Sequence, residues 1–267
     1  TNYGVLAQKA VTISNIPIAL ASAMSSAIIP TIASAYAQGA MKQTKKKTAA
    51  AVKVTMLISI PASIGIGVLA KPLVLALFPQ VEFLDLASRL LVGLSVTVIF
   101  YGLSTLTNAV LQGIGRVNTP VINAAIALGL QTAVLVPVMW FTDLGIYGVM
   151  IATMVYSFMM CVLNSISLRK HLDYKQEMDK TFARPLFSSM LMGLAAFGTY
   201  EGVSYLLEML MSSAYFINLI ALIIAVGVSV PIYFVLVIKL KAVKEADLKG
   251  LPKGYLFVKV AKKLRLL

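Results

Sequence analysis

Polar side chains recur at helical spacing inside two strongly apolar stretches of this sequence. In the first stretch they are Gln8, Thr12, Asn15, Ser22 and Ser26, and in the second they are Tyr101, Thr105, Asn108 and Gln112. Steps of three, four and seven residues bring the members of each set onto one face of a helix. Amides and hydroxyls bind water, sugars and phosphates, and are costly to bury in hydrocarbon without a partner. The two stripes predict a polar cavity; hydrogen bonding between packed helices is the alternative.

Three further residues extend this candidate site. Asn123 lies in another apolar stretch, and the cations Lys9 and Arg89 lie apart from the main basic clusters. A cation held near a polar cavity binds phosphate, and arginine does so in a planar, bidentate way. The alternative is that both side chains reach lipid headgroups. The candidate substrate contacts are therefore Gln8, Lys9, Asn15, Arg89, Tyr101, Asn108, Gln112 and Asn123.

The residues that catalysis or metal binding would require are not grouped along the chain. His171 is the single histidine, in a predicted charged loop with no second histidine or cysteine nearby. The single cysteine, Cys161, lies inside an apolar run and is interpreted as a packing residue. The sequence has no nucleotide-binding phosphate loop. We therefore predict no enzyme, no metal site and no cofactor.

The elements that position these residues follow from the composition. Of the 267 residues, 59% are hydrophobic and 12% are charged, against about 25% charged in soluble domains. A bilayer crossing takes roughly 20 apolar residues and must pair its own backbone groups, so apolar runs of this length are helices. Seven runs qualify, at about 4–35, 51–78, 86–112, 117–141, 145–168, 185–208 and 214–239. The predicted fold is an all-α integral membrane protein with seven transmembrane helices.

The basic residues predict the orientation. The net charge of +13 raises the possibility of nucleic-acid binding, but 20 of the 23 lysines and arginines lie in alternate short gaps and in the tail. By the positive-inside rule these segments face the cytoplasm, which places the amino terminus outside and the carboxyl terminus inside. Residues 241–267 are interpreted as a basic amphipathic tail that attracts anionic lipids, with a frayed tail as the alternative. No nucleic-acid partner is predicted.

Several short motifs occur in a recognisable order. They are Ile28-Ile29-Pro30-Thr31-Ile32-Ala33, Leu69-Ala70-Lys71-Pro72-Leu73-Val74, Leu111-Gln112-Gly113-Ile114-Gly115-Arg116 and Gly145-Ile146-Tyr147-Gly148. Their order and spacing resemble the multidrug/oligosaccharidyl-lipid/polysaccharide exporter superfamily. More narrowly, the chain is similar to the lipid II flippases and the spore-cortex polysaccharide transporters of the stage V sporulation protein B type.

This resemblance implies a fourteen-helix transporter with two lobes, of which the seven runs would be helices eight to fourteen. Residues 1–170 would belong to the carboxyl-terminal lobe, 171–240 would form two additional helices, and the amino-terminal lobe of the same protein would be a partner. Because the chain enters an apolar run at once, we interpret it as cut from a longer protein. The implied activity is alternating-access export of a polyprenyl-pyrophosphate-linked saccharide through the bacterial plasma membrane.

Lipid II flippases carry cavity arginines, including one on the eighth helix. At the matching position this chain has Val11, and the nearest cation is Lys9. Four other functions are considered: an ion-coupled multidrug antiporter, which would favour an acidic residue at mid-depth; a membrane-bound glycosyltransferase using Glu82 and Asp85; a seven-helix receptor; and a non-transporting membrane scaffold.

Overall fold

The computed structural model describes residues 4, 9–79 and 83–243, and the regular secondary structure in these ranges is helical. The helices are α1 (Val11–Ala37), α2 (Met41–Val68), α3 (Ala70–Leu77), α4 (Leu84–Gly113), α5 (Asn118–Phe141), α6 (Ile146–Leu172), α7 (Arg184–Glu208) and α8 (Ala214–Lys239). A π-helical turn at Asp179–Ala183 precedes α7. Candidate residue Gln8 and all but the first three residues of the predicted tail lie outside the described residues.

Within the described ranges, six helices are long and apolar enough to cross a membrane: α1, α2, α4, α5, α6 and α8. They confirm an all-α, multi-pass membrane protein. Helix α7 has 25 residues but is less apolar and carries Glu201 and Glu208. A seventh crossing by α7 stays a prediction.

The helix that contains the predicted second span, at 51–78, begins before the span and is interrupted before the span ends. Helix α2 already begins at Met41, so the lysines between 42 and 47 lie in its first turns and not in a loop. Lysine is a good helix former, and a helix can extend beyond the bilayer. The helix stops at Val68, and α3 restarts at Ala70. Pro72 explains the break, because it lacks an N–H and is tolerated in the first turn of α3 but not in the interior of a longer helix.

Helix α6 also extends further than predicted. It continues to Leu172, so His171 lies in its last turn and not in a loop. Asp173 then ends the helix in a left-handed conformation, with φ of 47°. The cations Arg169 and Lys170 share this last turn, where they face the negative end of the helix dipole.

The chain forms two compact units. The first combines Thr1–Ser59 with Gly93–Gln176, and the second combines Ile60–Val92 with Glu177–Leu267. Helices α2 and α4 thus contribute to both. In the first unit α5 packs against α6, and in the second α8 packs against α7 and α3. The division of the chain at residues 170 and 240 follows from the family resemblance and stays a prediction.

Small residues bring helix backbones close together in both units. In the first unit, a Cβ atom on Gly102 would collide with Oγ of Ser59 and lie 3.2 Å from its Cβ. In the second unit, a Cβ atom on Gly193 would lie 2.8 Å from Cγ2 of Ile64. Membrane helices gain packing energy from such close approach, since lipid supplies no hydrophobic drive between them.

Candidate functional site

The first unit contains a cavity of about 280 Å³ between α1 and α4. Its walls are formed by Ser22, Ser25, Ser26 and Ile29 from α1, and by Thr105, Asn108, Ala109 and Gln112 from α4. The structure therefore brings the carboxyl-terminal parts of both polar stripes together around one space. Of the candidate residues, Asn108 and Gln112 belong to this wall.

The α1 wall presents hydrogen-bond acceptors. Oγ of Ser25 donates to the carbonyl oxygen of Ala21 at 2.7 Å, and Oγ of Ser26 donates to that of Ser22 at 3.0 Å. Each hydroxyl has one proton, so both protons are used within the helix. The oxygen lone pairs remain available, and this wall can accept hydrogen bonds from a ligand.

The α4 wall ends in a helix stop that explains one of the sequence motifs. Gly115 has φ of +78°, which favours glycine. Its N–H donates to the carbonyl of Gln112 at 3.0 Å, and the N–H of Arg116 donates to that of Leu111 at 2.9 Å. This pair of bonds is a Schellman motif. The motif fixes where α4 ends, directly after Gln112.

The two helices meet just beyond the cavity. A Cβ atom on Gly113 would lie 3.5 Å from Cγ2 of Ile29 and 3.6 Å from its carbonyl oxygen. Only a glycine or a very small side chain permits such an approach of α4 to the α1 backbone. The contact lies beside Gln112, next to the cavity.

A fully buried asparagine of α6, Asn164, forms hydrogen bonds to the cavity-lining helix α4. Asn164 is 0% exposed. Its Nδ2 lies 2.7 Å from Oδ1 of Asn108, 3.0 Å from Oγ1 of Thr107 and 3.3 Å from the carbonyl oxygen of Ser104. These three acceptors all belong to α4, so the bonds hold the cavity helix against α6.

Asn123 belongs to the same network and not to the cavity wall. Its Nδ2 donates to Oδ1 of Asn164 at 2.9 Å and to Oγ of Ser167 at 3.0 Å. Sequence reasoning missed Asn164 as a functional residue. The available signal was an amide deep within the apolar run of α6, because such a group needs partners in lipid.

The other candidate residues lie elsewhere. The ring of Tyr101 lies 6.2 Å from that of Tyr156, measured between centroids. Asn15 is exposed on α1, Lys9 is half-buried just before α1, and Arg89 is exposed on the part of α4 that belongs to the second unit. None of these four side chains belongs to the wall of the 280 Å³ cavity. Their roles as substrate contacts stay predictions.

The second unit has its own cavity, of about 670 Å³, with walls formed mainly by α3, α7 and α8. Asn218, which is 3% exposed, belongs to its wall and forms two hydrogen bonds there. Nδ2 of Asn218 donates to the carbonyl oxygen of Pro72 at 3.1 Å, and its Oδ1 accepts from Oη of Tyr200 at 2.8 Å. These bonds satisfy the carbonyl of Pro72 and both ends of the Asn218 amide, and they link α3 to α7 and α8.

The charges around this larger cavity are mainly acidic. Glu201 and Glu208 belong to its wall and are exposed. Lys71 also belongs to the wall but forms an ion pair with Asp85 at 3.2 Å. Carboxylates repel phosphate oxygens, so the lining of this cavity disfavours a phosphate. The described residues that line the smaller cavity of the first unit are uncharged and offer both donors and acceptors, which suits a neutral polar ligand.

Six apolar helices and a polar cavity between two of them define a multi-pass membrane protein with an internal hydrogen-bonding site. The family model for the lipid II flippase MurJ matches residues 5–226, so the chain belongs to this family. It is also similar to the lipid II flippase MurJ of Bacillus subtilis (strain 168), with 26% identity over 183 residues. That match covers 67% of this chain and 33% of the relative, so the chain spans about a third of the relative's length.

Proposed function

We propose that this chain is part of a flippase that moves a lipid-linked cell-wall precursor across the bacterial plasma membrane. The family match over residues 5–226 carries this proposal. Because the chain spans about a third of its flippase relative, the activity belongs to the protein at its natural full length. There an amino-terminal lobe of the same protein completes the transport path. The substrate is a polyprenyl-pyrophosphate-linked saccharide.

The chemistry of the first unit supports a saccharide cargo. A sugar headgroup carries hydroxyls that both donate and accept hydrogen bonds, and it cannot cross hydrocarbon without losing its bonds to water. The cavity between α1 and α4 offers acceptors from Ser26 and amides from Asn108 and Gln112. These groups replace water at little cost to the substrate. The polyprenyl tail stays in the lipid, and alternating access exposes the cavity to each side in turn.

The proposed topology has seven crossings, with α7 as the sixth. The gaps rich in lysine and arginine and the carboxyl terminus face the cytoplasm. Residues 1–170 contribute to the carboxyl-terminal lobe, and α7 and α8 are the two additional helices. The basic tail contacts anionic lipids.

No observation favours the antiporter. Its coupling site would favour a carboxylate at mid-depth, whereas the six apolar helices contain one acidic residue, Asp85, in the first turn of α4. A glycosyltransferase would need a sugar site formed by an outer loop, and Glu82 of its proposed carboxylate pair lies outside the described residues. Transport rather than catalysis is therefore the proposed activity.

A vesicle assay tests this function. The full-length protein is reconstituted with a fluorescent polyprenyl-pyrophosphate saccharide in both leaflets, and a membrane-impermeant quencher is added outside. We expect the protein to make the inner-leaflet lipid accessible within minutes, whereas protein-free vesicles keep about half of it protected. Equal protection in both preparations would contradict a flippase. A fluorescent cation moved by an ion gradient in the same vesicles would support the antiporter instead.

A further inference from the structure

The orientation of the Asn164 amide is fixed by a backbone group. The oxygen and nitrogen of an asparagine amide are assigned from their partners, because they have nearly the same shape. The carbonyl oxygen of Ser104 can only accept a hydrogen bond, and it lies 3.3 Å from one end of this amide. That end must therefore be the NH₂ group of Asn164.

This orientation determines that of Asn108. The NH₂ group of Asn164 also lies 2.7 Å from the nearer end of the Asn108 amide. Two NH₂ groups would repel each other, so Asn108 presents its oxygen to Asn164 and its own Nδ2 points away. Within the described residues, Nδ2 of Asn108 has no hydrogen-bond acceptor. Asn108 lines the cavity, and its free donor is available to a ligand there.

The two walls are therefore complementary in polarity. Helix α4 presents the donor of Asn108, and α1 presents the acceptor oxygens of Ser25 and Ser26. Among the described residues that line this cavity, none carries a charge. A pyrophosphate would need a cation or several convergent donors, whereas a sugar matches a mixture of neutral donors and acceptors.

We infer that Nδ2 of Asn108 donates a hydrogen bond to the saccharide part of the substrate, and that Asn164 is the positioning residue that keeps this donor turned toward the cavity. The inference rests on the proposed function and narrows it. It assigns the sugar, and not the pyrophosphate, to the cavity between α1 and α4. Asn164 acts through Asn108 and does not touch the substrate.

Two variants of Asn108 test the polarity of the contact. Asn108→Ala removes the amide but leaves Asn164 with the acceptors of Thr107 and Ser104. Asn108→Asp keeps an oxygen for Asn164 and replaces the donor by a second oxygen. We expect both variants to bind the saccharide-bearing lipid about tenfold more weakly than the wild type. Binding of the sugar-free polyprenyl pyrophosphate should not change in Asn108→Ala, which adds no charge.

A double-mutant cycle tests the role of Asn164. Asn164→Ala should weaken saccharide binding in the wild-type background and have no further effect in the Asn108→Ala background, because the donor it positions is already absent. Its effect on thermal stability should persist in both backgrounds. A purely structural role would instead give losses of affinity that multiply.

The controls are Gln176→Ala and Gln176→Glu. Gln176 belongs to the same unit but lies outside the cavity, and its amide contacts Ser165 at 3.4 Å. Both should bind the saccharide lipid like the wild type. Wild-type affinity in Asn108→Asp would show that the contact uses the oxygen of Asn108 and not its Nδ2. Equal weakening for both lipids in Asn108→Ala would place the contact on the pyrophosphate. Either result overturns the inference and leaves the flippase intact. A wild-type protein that binds neither lipid contradicts the proposed function itself.

Discussion

Asn164 on α6 donates a hydrogen bond to Asn108 on α4 over 2.7 Å, from Nδ2 to Oδ1. One partner is fully buried, and the other lines the cavity. The bond therefore connects a residue that no substrate can reach to one that a substrate can contact. Asn164 packs α6 against α4 and positions Asn108, and the half-buried Asn108 is the member of the pair that a ligand can contact.

We predict that Asn164→Ala lowers the free energy of unfolding by about 1 kcal/mol. Asn123 loses one of its two acceptors, and three groups of α4 lose their shared donor. Thermal unfolding in detergent measures the change. Asn15→Ala is the matched control, since Asn15 is exposed on α1. Equal melting temperatures for the two variants would argue against a stabilising network.

Gln112→Ala is expected to reduce transport several-fold while expression stays at the wild-type level. Gln112 is exposed and lines the cavity, so its loss removes a ligand contact and little packing. Transport is measured as the initial rate of quencher accessibility in vesicles. Gln131→Ala on α5, which is not part of the cavity wall, serves as the control. An unchanged rate for Gln112→Ala would assign the α4 stripe to packing.

Lys9→Ala should weaken binding of a polyprenyl pyrophosphate about tenfold at low salt, because a charge-assisted hydrogen bond to phosphate is lost. The difference should shrink as salt is added and screens the charge. Binding is measured by titration of the labelled lipid at two ionic strengths. The control is Lys42→Ala, an exposed lysine in the first turn of α2. Unchanged affinity at low salt would remove Lys9 from the site.

The topology is tested with two single cysteines introduced after Cys161→Ser. Lys46→Cys lies in the lysine-rich start of α2, and Asp143→Cys lies between α5 and α6; both positions are exposed. A membrane-impermeant maleimide added to intact cells should label position 143 and spare position 46. Labelling of both after the cells are lysed shows that each thiol is reactive. The reverse pattern in intact cells would invert the proposed orientation.

The ion pair between Lys45 and Asp173 predicts a pH dependence. Lys45 lies 3.0 Å from the carboxylate, and its hydrogen bond and charge lower the pKa of Asp173 below 3.8. A depressed pKa stabilises the folded state above the ordinary pKa of the carboxyl group, and this contribution is lost as the pH falls through the lowered value. Lys45→Met should therefore raise the pKa of Asp173 in a carboxyl-carbon NMR titration.

Lys46→Met is the control for this titration, because the charges that lower the pKa of Asp173 are those of Lys45, Lys175 and Arg169. The stability difference between the wild type and Lys45→Met should be present at neutral pH and disappear in strong acid. A pKa of Asp173 that is the same in both variants would show that the pair is not formed in solution.

The helical crossings could be predicted because hydrocarbon imposes a local rule on each segment. Every backbone group of a span must be paired within the span, so length and apolar content suffice to locate α1, α4, α5, α6 and α8. Where a helix ends depends on small differences in free energy between alternative conformations of neighbouring residues. This is why the early start of α2 and its stop before Pro72 were not predicted.

The polar stripes on α1 and α4 were visible in the sequence, because three- and four-residue spacing places side chains on one face whatever the neighbours are. Which face meets which neighbour depends on tertiary contacts. The sequence could not show that Asn123 turns into a network with Asn164, or that Tyr101 packs beside Tyr156.

The sequence by itself determined that this protein crosses a membrane as helices, carries two polar faces and resembles a family of exporters. Those properties follow from local hydropathy, periodicity and short motifs. Only the tertiary structure decided which polar residues share a cavity and which are bound to one another. A hydrogen bond between Asn108 and Asn164 joins positions 56 residues apart. The sequence around Asn108 therefore does not reveal Asn164, the partner that fixes the orientation of its amide.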